Sequence, residues 1–204
     1  RQMAGASDEV LQLMGEIMWL HFVCAYQIKG ATKRDHIRGV LDWARRPIEI
    51  PGPINEALEK GMASTGVAFN TYRAQQLWFL IDFVLYWKRA SSADRQRWLS
   101  EPWAFKAMVW DVPIEKAYVQ RNAVLHLIHP GVFEDIYSRN NKQSIVKSFS
   151  AHLPEDETDV DRLLFAARNY VEEAGFKPDP GQEYWSPFYW SEIRSLWDAP
   201  KLKK

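Results

Sequence analysis

Two groups of basic residues have side chains of a type and spacing that could bind phosphate. The first surrounds one predicted helix start and comprises Lys29, Lys33, Arg34, Arg38, Arg45 and Arg46. The second follows Ser138 and comprises Arg139, Lys142 and Lys147. Cationic side chains contact phosphate, and a helix N-terminus near Thr32 would add backbone N–H donors. The predicted nucleic-acid contacts are therefore, first, Lys29, Lys33, Arg34 and Arg38 and, second, Arg139 and Lys142. The alternative is a solvated face with local ion pairs.

A nucleotide-binding loop is not predicted. Gly61 and Gly66 have the glycine spacing of such a loop, but Val67 and Ala68 stand where its lysine and hydroxyl belong. No strand is predicted before these residues. We therefore expect a loop that binds no nucleotide and a chain that needs no cofactor.

Complete catalytic or metal-binding motifs are also not predicted. His126 and His129 have no adjoining cysteine or carboxylate cluster, so one of them is expected to cap a helix end before Pro130. His21 and Cys24 lie in an apolar helix and are expected in the core. No acidic residue stands two positions before a lysine, which excludes the commonest nuclease core. The adjacent acids Glu134-Asp135 and Glu172-Glu173 cannot share a helix face and make poor catalytic dyads.

Composition points to a globular protein inside the cell. Lysine and arginine total 26, as do aspartate and glutamate, so the zero net charge argues against strong nonspecific DNA binding. One cysteine permits no intramolecular disulfide, which fits the cytoplasm. No apolar run reaches the roughly 20 residues that span a bilayer. The chain starts at Arg1 and ends with a lysine-rich stretch after Pro200, so we expect it to be part of a longer protein.

Apolar spacing predicts an all-α fold, an irregular multi-helix domain of about nine or ten helices. A main domain is expected over residues 1–150, and residues 151–204 are expected to form a C-terminal helix and an aromatic tail. Expected N-caps include Ser7, Ser91 or Ser92, Ser138 and Thr158. The most apolar helix, residues 71–89, is hydrophobic all round and is therefore predicted to lie in the middle of the domain.

A segment at residues 124–149 resembles one found upstream of the motor domain in McrB-like AAA+ ATPases of prokaryotic restriction systems. The matching residues are Pro130, Phe133, Glu134, Ile136, Ser138, Arg139, Lys142 and Ile145. The same residues independently predict a helix that ends at Pro130 and a second that starts after Ser138. Arg139, Lys142 and Lys147 are expected to point outward from it. Residues 9–110 also resemble the helical N-terminal part of those proteins, including residues 29–34 and 103–106.

The resemblance implies a parent protein that hydrolyses a nucleotide in an oligomeric ring and acts with a nuclease on foreign DNA. This chain lacks the ATPase core, so it would be a non-catalytic recognition or regulatory module for defence. The implied partners are the AAA+ motor of its own chain, a McrC-like nuclease subunit and DNA. The alternative is a structural adaptor that docks proteins through tryptophan and tyrosine and ignores DNA. An independent enzyme is the least favoured reading.

Overall fold

The fold is all-α, as predicted from the sequence. The computed structural model describes residues 3, 5–63, 65–66, 68–181 and 186–198. Within these ranges there are eleven α-helices, two 3-10 turns and no strand, apart from one isolated parallel bridge between Ala25 and Ala63. The α-helices are α1 Asp8–Val23, α2 Gly30–Leu41, α3 Gly52–Ala57, α4 Ala68–Thr71, α5 Arg73–Arg89, α6 Ser92–Ser100, α7 Pro102–Asp111, α8 Tyr118–Ile128, α9 Arg139–Ser148, α10 Val160–Glu173 and α11 Ser191–Trp197.

Local side-chain caps start several of these helices. The hydroxyls of Ser7, Ser91 and Ser138 accept hydrogen bonds from the first turns of α1, α6 and α9, which confirms those predicted caps. The prediction for α10 was wrong, because Asp159 and not Thr158 is its N-cap. The Asp159 carboxylate accepts from two first-turn N–H groups, and a negative charge there also favours the helix dipole.

The chain divides into two compact units, Arg1–Arg121 and Asn122–Lys204, with the division inside α8. The domain boundary was predicted at residue 150. In the structure α9 belongs to the second unit because it packs against α10 and α11. No helix in the described residues is both long enough and apolar enough to cross a membrane.

In the first unit, α1 packs against both α2 and α5. Leu11 and Ile17 of α1 are buried, as are Ile37 and Leu41 of α2. A side chain at Gly15 would overlap Leu41, so this glycine is what lets α2 approach α1 so closely. This contact holds the C-terminal end of α2 against α1, while most of the first predicted phosphate contacts lie nearer the other end of α2.

The position predicted for α5 was wrong. Only one of its faces, which carries Gln76, Phe79 and Leu80, is buried, while Trp78 and Leu85 are exposed. The helix is apolar all round; α1 and α4 pack against it and aromatic rings of α6 and α7 contact it, but these elements leave one side of it exposed. A fully apolar helix therefore lies at the surface of the described residues with an uncovered hydrophobic face.

The second unit has a single aromatic-rich core. Its buried residues come from the segment before α9, from α9 and α10, and from the aromatic segment that ends in α11: Ile136, Ile145, Phe149, Leu164, Ala167, Val171, Phe188, Trp190, Ile193 and Trp197. The Trp197 indole N–H donates to the Phe188 carbonyl over 2.8 Å. The described part of the aromatic tail is thus core, and residues 182–185 and 199–204 of the predicted tail lie outside the described residues.

Candidate functional site

Lys33 is buried, with none of its surface exposed, and the expectation that it points outward was wrong. It lies on the same face of α2 as Ile37 and Leu41, four and eight residues further on. Its Nζ donates to the Lys60 carbonyl over 2.7 Å. Burial lowers the pKa of Lys33, against the opposing influence of Cys24 and Glu59. Lys33 therefore ties α2 to the segment after α3 and presents no surface charge.

Arg34 and the first turn of α2 already have an anionic neighbour. Arg34 pairs with the Glu59 carboxylate over 2.6 Å. The same carboxylate lies so close to Gly30 that a side chain at this position would overlap it. The helix starts at Gly30, two residues before the expected Thr32, and its N-cap Lys29 makes no side-chain cap. Glu59 thus partly fills the position that a phosphate would take at this helix start.

The remaining cations of the first group are on the surface. Lys29, Arg45 and Arg46 are exposed, and Arg38 is exposed while it donates to the Ile48 carbonyl over 3.0 Å. Arg46 lies 4.0 Å from Asp8 and retains most of its exposure. Of the six predicted residues in this group, four remain as surface charges without a close salt bridge.

Lys142 is also buried, with 2% of its surface exposed, and its predicted outward orientation was wrong. Its Nζ lies 2.5 Å from the Asp161 carboxylate of α10 and 2.5 Å from the Asn122 side-chain oxygen of α8. Lys142 precedes Ile145 and Phe149 on the core-facing side of α9. It is an internal cation that joins three helices of the second unit. Arg139, in the first turn of the same helix, is exposed.

A second buried charged cluster occupies the segment between α8 and α9, and sequence reasoning missed it. Glu134 accepts from Ser186 Oγ over 2.6 Å and from Arg168 Nη1 over 3.1 Å. Arg168 also donates to the Gly131 carbonyl. Burial raises the pKa of Glu134 despite these partners. The adjacent acids Glu134 and Asp135 gave no indication of this arrangement in the sequence, because Arg168 and Ser186 are distant in sequence.

Asp135, the next residue, is buried beside this cluster. Its Oδ1 has no hydrogen-bond partner among the residues that the structure describes. Burial, reinforced by the charge of Glu134, raises the pKa of Asp135 to about 7. Burial and the charge of Asp135 likewise raise the pKa of Tyr189. Asp135 is therefore a buried carboxyl group that changes charge near neutral pH.

Cys24 and His21 lie in the core, as expected. Cys24 is fully buried, and burial raises the pKa of its thiol to about 12. His21 is buried too, and burial lowers its pKa to about 4, although its Nδ1 is hydrogen-bonded to Gln120 over 3.1 Å. His126 donates from Nδ1 to the Phe133 carbonyl over 2.7 Å, which holds the chain beyond the end of α8. None of these groups has the exposed, activated setting of a nucleophile or base.

The Arg121 side chain caps the C-terminal end of α7. Its guanidinium donates to the carbonyls of Val109, Val112 and Ile114. It also lies over the rings of Phe79 and Trp110. These carbonyls have no partners within a helix, so a buried arginine satisfies them and the helix dipole together.

The outer face of α5 carries three large apolar side chains that are exposed: Trp78, Ile81 and Leu85. Trp78 is 58% exposed, and Ile81 and Leu85 are exposed as well. Their spacing of three and four residues places them on one side of the helix, opposite the buried Phe79 and Leu80. Lys88 and Arg89 are exposed in the last turn of the same helix.

No group of three or more metal-ligating side chains occurs in the part of the chain that the structure describes. Comparison of the chain with protein-family models, with curated proteins and with solved structures found no match. No family model or solved structure therefore assigns a role to the residues described above.

Proposed function

We propose that this chain is a non-catalytic docking module that binds a protein partner through the outer face of α5. The observation that supports this most is the exposure of Trp78, Ile81 and Leu85 along one side of a helix whose opposite face is buried. Exposed tryptophan next to aliphatic side chains is the composition of interface centres. A contiguous apolar patch rimmed by charge is typical of a binding surface.

The partner that fits this face is an apolar helix that carries carboxylates near one end. Lys88 and Arg89 follow the apolar residues in the last turn of α5. Opposite charges on a partner at that end would fix its direction along α5, and like charges would repel it. The apolar stripe would supply the affinity by packing of one helix against another, which removes apolar surface from water.

The resemblance to McrB-like ATPases suggests which protein carries this partner helix. We propose the AAA+ motor of such a system, with this chain as its recognition or regulatory module in the cytoplasm of a prokaryote. The absence of a nucleotide-binding loop in the sequence is consistent with a division of labour between module and motor.

Photo-cross-linking tests the docking face. A benzophenone amino acid replaces Trp78 in the protein in its own cells, and the cross-linked peptide is identified by mass spectrometry. We expect one dominant cross-linked peptide that is apolar and contains aspartate or glutamate. The matched control carries the same group at Trp43, which is 47% exposed in the same unit, and should cross-link at background level.

Three outcomes contradict the docking proposal. Equal cross-linking from the two positions would mean that Trp78 is ordinary surface. Cross-links only to a second copy of the chain would identify self-association instead. Absence of any product at position 78 would leave the outer face of α5 without a partner.

Nucleic-acid contact is a second candidate, supported by the exposed cations Lys29, Arg38, Arg45 and Arg46 around α2. Exposed lysines and arginines can contact phosphate in any sequence. Burial of Lys33 and the Arg34–Glu59 pair leave this surface with fewer available charges than predicted. The charge pattern therefore supports weak, salt-sensitive binding at most.

Charge reversal tests this second candidate. The double variant Lys29→Glu and Arg38→Glu is expected to weaken binding to any DNA duplex and to flatten the log–log salt dependence by about two. Fluorescence anisotropy at several salt concentrations measures both, with Lys177→Glu as the control for a lone exposed charge in the other unit. The variant avoids Lys33, since a charge reversal there would disrupt the core. Absence of wild-type binding at low salt would eliminate the DNA candidate.

A further inference from the structure

The first unit contains a cavity of about 210 Å³ between α1, α2 and the segment that leads into α3. Its walls are largely apolar and include Trp19, Ile37 and Leu41, with Ile48 and Ile50 from the connecting segment. The Trp19 indole N–H donates to the Ile54 carbonyl over 2.8 Å, which holds α3 against the cavity. An apolar-walled cavity of about 150 Å³ can hold benzene, so this one has room for a body of similar size.

The charged side chains that line the cavity are all negative. Its lining contains two carboxylates, Glu16 and Glu49, and the amide of Gln12, and no lysine or arginine. Gln12 donates to Glu16 over 3.0 Å. Glu49 has no hydrogen-bond or ion-pair partner among the described residues, and its carboxylate is exposed.

We infer that this cavity is a binding site for a small organic cation with an apolar body, such as an alkylammonium or arylalkylammonium ion. The apolar part displaces water from the walls, which is favourable in proportion to the area removed from water. The ammonium group lies between Glu16 and Glu49 at the rim. The indole of Trp19 adds a face that attracts cations.

The same charges exclude other classes of ligand. A carboxylate or phosphate ligand would meet two like charges with no cation in the lining to offset them. A neutral alcohol would bind through its apolar part alone. The cavity therefore prefers a cationic ligand, whereas the predicted phosphate contacts on α2 would prefer an anionic one. Binding in the cavity does not depend on a partner at the outer face of α5.

Binding of n-hexylammonium, with hexanoate and hexan-1-ol as matched comparators, tests the inference. In ¹H–¹⁵N NMR titrations of the whole chain, the Trp19 indole resonance should shift with n-hexylammonium at lower concentration than with hexan-1-ol, and hexanoate should bind weakest. Glu16→Gln and Glu49→Gln should each weaken n-hexylammonium binding by about threefold, a typical size for an exposed charge pair. Both should leave hexan-1-ol unchanged.

Glu56→Gln is the control, since Glu56 is an exposed acid on α3 that does not line the cavity. All the substituted side chains are on the surface, so the variants should retain the fold. Equal binding of n-hexylammonium and hexanoate would overturn the inference. So would an unmoved Trp19 indole resonance, or glutamine variants that bind n-hexylammonium as well as the wild type does.

Discussion

Replacing Lys142 by methionine is expected to lower the free energy of unfolding by about 3–5 kcal/mol, the usual cost of removing one partner of a buried ion pair. The Nζ of Lys142 lies 2.5 Å from the Asp161 carboxylate, and both side chains are almost fully buried. Without Lys142, Asp161 is a buried negative charge and the Asn122 oxygen loses its donor. Urea unfolding followed by circular dichroism measures the change.

The exposed Lys147→Met, on the same helix, is the matched control and should change the free energy of unfolding by less than about 0.5 kcal/mol. The double variant Lys142→Met and Asp161→Leu should recover much of the loss, because an apolar pair of similar volume needs no desolvation of charge. If Lys142→Met behaves like Lys147→Met, the internal ion pair does not stabilise the second unit as proposed.

Asp135→Asn is expected to stabilise the protein above neutral pH and to have little effect near pH 4. Burial raises the pKa of Asp135 in the folded state to about 7 from its ordinary value of 3.8, so folding favours its protonated form. Stability from this group is therefore fully present below pH 4 and is lost as the pH rises through about 7. The full loss corresponds to about 4 kcal/mol as an order of magnitude.

Urea unfolding of wild type and variant at several pH values from 4 to 8.5 measures this difference. The two stability curves should lie close together at the acid end and separate by a few kcal/mol at the alkaline end. Asp156→Asn, an exposed acid in the linker before α10, is the control and should give a curve parallel to the wild type. Parallel curves for Asp135→Asn as well would show that Asp135 is ionised normally in the folded protein.

Helix formation in this chain could be predicted because its determinants are local. The caps at Ser7 and Ser138 lie within three residues of the N–H groups that they accept from. Pro102 is the first residue of α7, a position that proline favours for local reasons. The periodicity of apolar residues identified the all-α fold class. It overstated how completely α5 is covered, because an apolar helix does not specify what packs on each side of it.

The buried lysines could not be placed from local pattern because their partners are distant in sequence. Lys33 is held by the Lys60 carbonyl and Lys142 by Asp161, and neither pairing follows from helical spacing. A signal was nevertheless present: each lysine continues the core-facing stripe of its helix, Lys33 with Ile37 and Lys142 with Ile145. At both positions the lysine is buried as its helical spacing indicates, despite its charge, since a backbone carbonyl or a carboxylate is available inside as a partner.

The most direct test of the docking proposal is the oxidation rate of Trp78 under hydroxyl-radical footprinting, compared between the isolated 204-residue chain and the same protein in its native assembly. The isolated chain should be oxidised rapidly at Trp78 and at Trp43, since both indoles are exposed. In the assembly we expect protection at Trp78 by about tenfold, the scale of a side chain at an interface centre, with Trp43 unchanged. Equal oxidation of Trp78 in the two samples would contradict the proposal that a partner covers the outer face of α5.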